Sequence, residues 1–446
     1  MNRIATLTAD ELLDSRGYPT LEVRVELCSG ISGSAMVPSG RSTGQYEAVE
    51  LRDGDAGRYH GLGVLKAVSN VEDVIRDALS GMEIDNQCAL DRALTELDGS
   101  EFKSHLGANA ILGVSVACAR AAANAHGLPF YRYLGGVGAQ VLPVPMFNVL
   151  NGGKHASQGP DIQEFKLVPA GAPTFREAVR YGVETYHRLG EVLRDMGLAT
   201  NVGDEGGYAP ALPSNAAAMD AILLAIERAG YVPGQDIFIA LDPAATSFFY
   251  SDGTYRLARD NLTLSTQELI AYWQAWAQTY PLISLEDPLH DADWGGFAAI
   301  TTQLGQHLQI VGDDLFVTNP RFLQRGIREH CCNSILIKPN QIGTLTQTLE
   351  TVRLAQRAAY TCLVSHRSGE TEDALIADLA VAINAGQIKS GAPARGERVE
   401  KYNRLLRIER ELGGDAIFPG LAAFPRHQAP KHRQVVHEGT AMKEGA

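Results

Sequence analysis

Lysine is scarce in this 446-residue chain, with nine lysines against 30 arginines. The skew reads first as codon bias in a GC-rich genome, and it makes the position of each lysine worth following. Basic charge as a whole is also short: 39 basic residues face 52 acidic ones, for a formal net charge of −13. Nucleic acid and anionic membranes select basic surfaces, so neither is expected as the main partner. Cysteine occurs only at 28, 88, 118, 331, 332 and 362, with no CxxC pair and no histidine spacing suited to zinc. That pattern excludes a disulfide framework and points to a reduced, cytoplasmic protein. Long apolar runs are missing too. The longest uncharged one, from about Leu106 to Ala119, falls short of the roughly 18 residues of a membrane span and reads as a buried helix. The first residues, MNRIATLTADELLDSRG, contain no apolar h-region, so no signal peptide is expected. Gly61-Leu62-Gly63 is half of a dinucleotide fingerprint without its strand–glycine–helix context, and no P-loop is present.

What is present falls into two regimes. At about 150 residues per domain the length allows about three domains, although one α/β barrel can use 250. In the first regime Leu21, Val23, Val25 and Leu27 alternate with Glu22, Arg24 and Glu26, as a half-buried strand requires. A Gly/Ser-rich loop, 38–44, follows, and Ala- and Leu-rich helical patterns occupy 63–126. The Gly/Pro punctuation of 135–145 marks the expected boundary, giving an α+β N-terminal domain over 1–135 and a second domain over 140–426. The segment 427–446 has no apolar period and is expected to be a disordered tail.

In the second regime, short apolar runs each end on a charged or polar residue: IFIALD, PLISLED, LQIVGDD, SILIKPN, TCLVSHRS and AGQIKSG. Asp242, Glu286, Asp313, Lys338, His366 and Lys389 follow one another at spacings of 44, 27, 25, 28 and 23. Each interval accommodates a strand, a helix and two loops, which predicts a βα repeat and favours a (β/α)8 barrel over an open sheet. In a barrel, residues at the C-terminal strand ends converge on one mouth. A single strand-end Asp could equally be a helix N-cap, but six phased positions are poorly explained that way.

The chemistry follows from that convergence. Three carboxylates at one mouth, Asp242, Glu286 and Asp313, repel one another unless a divalent cation holds them, and all-oxygen ligation suits Mg2+. Lys338 and Lys389 end neighbouring runs. A lysine beside a metal and another ammonium loses proton affinity and can serve as a base, although salt bridges to the same acids would also explain both. Gly203-Asp204-Glu205-Gly206-Gly207 sets two acids in a glycine turn, and His366-Arg367-Ser368 offers a cation and a hydroxyl for a phosphate or carboxylate.

These stretches, together with Asp14-Ser15-Arg16-Gly17, Ser42-Thr43-Gly44, Asn151-Gly152-Gly153, Gln163-Glu164-Phe165 and Gly386-Gln387-Ile388-Lys389, make the chain similar to the enolase (phosphopyruvate hydratase) family over about residues 3–426. The resemblance implies a small α+β N-terminal domain on a modified TIM-type barrel that opens ββαα. It implies Asp242, Glu286 and Asp313 as ligands of one Mg2+, and Ser42 reaching a second that arrives with substrate. It also implies Lys338 as the base at C2 of 2-phosphoglycerate, Lys389 as stabiliser of the enolate, and Glu205 with Glu164 as the acid for the departing hydroxyl. His366 joins the catalytic set. Arg367 and Ser368 would hold the phosphate, while His155 and Gln163 close over a small phosphorylated anion in a homodimer or homo-octamer.

The chain departs from the family at several positions around that set. Tyr18 stands where Asn is usual, Arg41 where Ala is, Gln158 where Asn is common, Lys166 where Met is, and Ser247 where Glu is. Arg41, Lys166 and His290 are read as added positive charge at the mouth, with Arg41 and Lys166 as candidate substrate contacts. Two substrate readings follow. One is the ordinary hydratase. The other is a paralogue resembling carboxyphosphonoenolpyruvate synthase of phosphonate biosynthesis, which takes an activated phosphonoformate as co-substrate. A non-catalytic binding protein on the same scaffold is disfavoured, because a scaffold needs no paired base and acid.

Overall fold

A computed structural model describes residues 2–40, 46–156 and 158–426. Arg41, Ser42 and the expected tail from 427 lie outside the described residues. Strands β1 (Ile4–Leu13), β2 (Pro19–Leu27) and β3 (Ser32–Met36) form an antiparallel meander. Leu21, Val23, Val25 and Leu27 face inward with at most 1% exposure, as their alternation predicts. The helix Ala108–Ala125 lies across this sheet, and its residues 108–119 are all buried. Close approach is possible because β3 carries Gly33: a Cβ there would sit 2.3 Å from the Ala121 nitrogen and 2.5 Å from the Ala117 carbonyl. The long apolar run is therefore the spine of the N-terminal core, not a surface element. No helix among the described residues is long and apolar enough to cross a membrane.

The remaining strands are β4 (Val144–Asn151), β5 (Glu164–Val168), β6 (Phe238–Asp242), a small hairpin of β7 (Tyr255–Leu257) and β8 (Leu262–Leu264), then β9 (Leu282–Glu286), β10 (Gln309–Gly312), β11 (Ser334–Ile337), β12 (Thr361–Ser365) and β13 (Gly386–Lys389). Eight of them close a barrel in the order β4-β5-β6-β9-β10-β11-β12-β13. β5 runs antiparallel to both neighbours, and every other adjacent pair is parallel. Helices Phe175–Asp195 and Asn215–Arg228 intervene between β5 and β6, so the barrel opens ββαα. Local signals fix the helix starts, as where the Ser265 hydroxyl and the Glu268 carboxylate cap one another's backbone N–H groups.

Inside the barrel, Val144, Met146, Val168, Ala240, Ile283, Val311, Leu336 and Leu363 share one core with Phe424. At the N-terminal ends of the strands, Gln309 and Gln387 exchange amide hydrogen bonds of 2.9 and 2.8 Å, closing the floor. The N-terminal unit is bonded to the opposite, C-terminal mouth. Arg120 grips Asp373 bidentately at 2.5 and 2.6 Å, Ser39 pairs with Gly369, and Glu47 meets Arg367 at 2.9 Å.

Candidate functional site

Strand direction decides which residues reach the mouth. The parallel strands contribute their last residues, so Asp242, Glu286 and Lys389 end β6, β9 and β13, with Asp313, Lys338 and His366 immediately beyond β10, β11 and β12. β5 runs the other way and contributes its first residue. Glu164 thus stands in register with Asp242. Two residues on along the same face, Lys166 follows it.

Lys389 Nζ sits among three carboxylates, 2.6 Å from Glu286, 2.8 Å from Glu164 and 3.2 Å from Asp242. Burial opposes its charge, but these acids more than offset that and raise its pKa well above the usual lysine range. Burial and the neighbouring Glu286 push the Asp242 carboxyl well up. Glu286 is lowered despite burial, because Lys166 and Lys389 both lie against it. Lys338 Nζ is 2.5 Å from Asp313. Burial and the cations Arg367 and Lys389 act to lower Lys338, yet Asp313 outweighs them and its pKa is raised. Asp314, half-buried beside Asp313, is pushed up to about 7 by desolvation and that neighbour.

On the far side of the barrel seam, Asn148 Nδ2 donates to Glu205 at 2.8 Å, and His366 Nε2 approaches the same carboxylate at 3.3 Å. Gly206 takes a left-handed φ of +87°, and a Cβ on Gly207 would stand 2.5 Å from Asn151 Oδ1. The glycines of this turn let the chain carry Glu205 inward. Arg367 donates from Nη1 to Glu47 and, at 3.1 Å, to Asn340.

A cavity of about 220 Å³ opens on this arrangement. Its lining includes His155, Gln163, Glu164, Glu205, Asp242, Asp313, Lys338, His366, Arg367, Ser368 and Lys389. The structure thus brings most of the predicted site residues together. It places three of them elsewhere. Glu286 lies beneath the cavity lining, held by two lysines. Lys166 is 1% exposed, with Nζ 2.5 Å from Glu286 and 3.3 Å from Glu164, so it is a buried counter-ion and not a substrate contact. His290 packs on Phe249, with its Nδ1 2.9 Å from the Ala292 N–H and 3.2 Å from Asp291, and it does not line the cavity.

Sequence reasoning missed Arg398, fully buried on the helix Gly396–Leu412, which donates to His366 Nδ1 and to the carbonyls of Arg367, Ser368 and Asp204. Nothing in that amphipathic segment marks it. It also missed Asp287, whose carboxylate accepts the Asp313 and Asp314 backbone N–H groups at 2.9 and 2.8 Å. The adjacent acids of the strand-end Glu286-Asp287 pair were a usable signal.

Eight acidic residues and four lysines or arginines line the cavity among the described residues, an excess that a cation would relieve. The acids Glu164, Asp242 and Glu286 form one group able to hold a metal ion, and Asp287, Asp313 and Asp314 form another. The predicted trio is split between the two groups, each paired with a lysine. All these donors are carboxylate oxygens, and they outnumber the cations beside them, so the residues fit Mg2+.

A closed barrel with carboxylates and lysines gathered at its C-terminal mouth defines an α/β-barrel protein with an enzyme-type site. Family models agree with that class: the one described as Enolase, N-terminal domain matches residues 4–134, and Enolase, C-terminal TIM barrel domain matches 139–426. The chain belongs to the enolase family.

Proposed function

We propose that the chain is a Mg2+-dependent lyase that interconverts 2-phosphoglycerate with phosphoenolpyruvate and water. The observation that carries this reading is that Lys338 and Glu205 line one cavity with Arg367 and Ser368. Arg367 and Ser368 offer the planar guanidinium and the hydroxyl that recognise a phosphate. Asp242, Glu286 and Asp313 would hold one metal ion, and Ser42 would serve a second. When bound, the metal would supply compensation for the charge that builds on the substrate carboxylate. At Lys338, burial and the like-charged Arg367 and Lys389 favour the neutral amine a base needs, while Asp313 and Asp314 oppose it. Its Nζ takes the C2 proton, the C3–O bond breaks, and Glu205, assisted by Glu164, gives the departing hydroxyl the proton that makes it water. Lys389 faces the enolate oxygens, and His155 and Gln163 cover the substrate. The same reading carries with it a cytoplasmic homodimer or homo-octamer. Phosphoenolpyruvate absorbance in the presence of Mg2+ tests it: a folded, metal-binding protein that forms none overturns it.

The phosphonate reading keeps one supporting observation. Lys154 and Ser247 line both the main cavity and a neighbouring one of about 440 Å³, which Arg256 and Arg259 also line. That is room for a second anionic substrate beside the first. Lys166 no longer supports it. Calorimetry with a nucleotide-activated phosphonoformate would decide, with no binding ending this alternative.

A further inference from the structure

The buried charges beneath the cavity do not balance as the family resemblance implies. Glu164, Asp242 and Glu286 bring three carboxylates within 4.8 Å of one another, and Lys389 reaches all three. One ammonium against three carboxylates leaves two formal negative charges, which a dication would cancel. Lys166 changes that count, leaving only one. Its Nζ takes Glu286 Oε2 while Lys389 takes Oε1, so both oxygens of this carboxylate are already held by ammonium groups.

Solvent screens neither contact. Lys166 is 1% exposed, and the residues on either side of it, Phe165 and Leu167, are fully buried. On β5 it is paired with Asn148 on one neighbour and Ala240 on the other. The ammonium is therefore held out of bulk water, on the strand face that also carries Glu164. A dication bound to Asp242 and Glu286 would leave the cluster with a surplus positive charge. An uncompensated buried charge is costly in a low-dielectric interior, and an anion arriving in the cavity would compensate it.

Resting on the metal reading above, we propose that Lys166 is a resident cation that competes with Mg2+ for Glu286 and couples metal occupancy to the binding of an anionic ligand. Coupling of this kind is reciprocal, so the anion also binds more tightly when Mg2+ is present. The metal-free cluster then carries a single formal negative charge, and the metal is held best together with its anion.

Calorimetric titration of the full-length, metal-free chain with Mg2+, with and without inorganic phosphate, tests this. The variants are Lys166→Met, which removes the charge, and Lys166→Gln, which removes it but keeps a donor for Glu286. The expected result is that each variant binds Mg2+ alone at least about tenfold more tightly than the parent chain, and that phosphate tightens Mg2+ binding more in the parent than in either variant. Unchanged or weaker Mg2+ affinity in the variants overturns the proposal, and so does an equal phosphate effect. Should the Met variant fail to fold, the Gln variant decides. Equal affinities in a chain that still forms phosphoenolpyruvate overturn this inference alone, whereas no Mg2+ binding by any of the proteins overturns the metal reading with it.

Discussion

Arg398 donates from Nη1 to His366 Nδ1 at 2.6 Å, and this contact decides which imidazole nitrogen carries the proton. A guanidinium has no acceptor, so Nδ1 must be bare and Nε2–H faces Glu205. Burial also lowers the His366 pKa, with Arg398 acting in the same direction. His366 thus turns Nε2 toward the carboxylate of the proposed acid, 3.3 Å away. Nitrogen-15 NMR at pH 6 should find His366 neutral and protonated on Nε2, where an ordinary histidine is largely charged. An Arg398→Met variant should lose that single tautomer.

Lys338 and Glu205 should separate kinetically. In Lys338→Ala, exchange of the C2 proton of 2-phosphoglycerate with deuterated solvent should cease along with turnover. In Glu205→Gln, turnover should fall by about 10²- to 10⁴-fold while that exchange persists, because the proton leaves before the hydroxyl does. Exchange is followed by proton NMR, and its loss in both variants would contradict the division of roles.

The joint between the N-terminal unit and the barrel mouth rests on Arg120 and Asp373. Burial opposes ionisation of Asp373, but Arg120 more than offsets it and the carboxyl stays below the usual range. Asp373→Asn should therefore cost about 1–3 kcal/mol in urea unfolding, since it removes the charged partner of the half-buried Arg120, which keeps its bond to the Ser34 carbonyl. The sign with pH follows from a lowered folded pKa. The contribution is whole above about pH 4 and is lost as pH falls below it, so the parent and variant should converge in acid.

Gly33→Ala should cost about 1–3 kcal/mol, read as a lowered Tm, because the new methyl group meets backbone atoms of the helix Ala108–Ala125 that cannot swing aside. The same change at Gly30, where a Cβ has nothing within 4 Å but φ is +80°, involves only backbone strain and should cost less.

Much of this was legible in advance, for identifiable reasons. Each of the six apolar runs read as a strand contains one, from β6 to β13, because a strand buried on both faces is a short unbroken apolar segment with a polar end. The buried helix at 108–125 showed itself by its lack of charge. The antiparallel course of β5 was not available from periodicity and came only through the family resemblance, since strand direction leaves no mark on a five-residue pattern. Lys166 shares the face of Glu164 because the two stand two residues apart on β5. Its target was misjudged because one strand's pattern does not reveal that Glu286, 120 residues away, ends beside it. Arg398 was invisible for a similar reason: an arginine on an amphipathic helix is ordinarily solvated, and only the packed fold shows that four polar partners enclose it.

The reversed β5 has one more consequence. Its side chains alternate between the polar cluster and the apolar layer under the helices, with Glu164 and Lys166 on one side and Phe165 and Leu167 on the other. Inserting or deleting a single residue ahead of it, with the pairing kept, would exchange the two sets, sending two charges into hydrocarbon and two hydrocarbons into the catalytic centre. Along this strand, chain length is therefore a stricter requirement than residue identity.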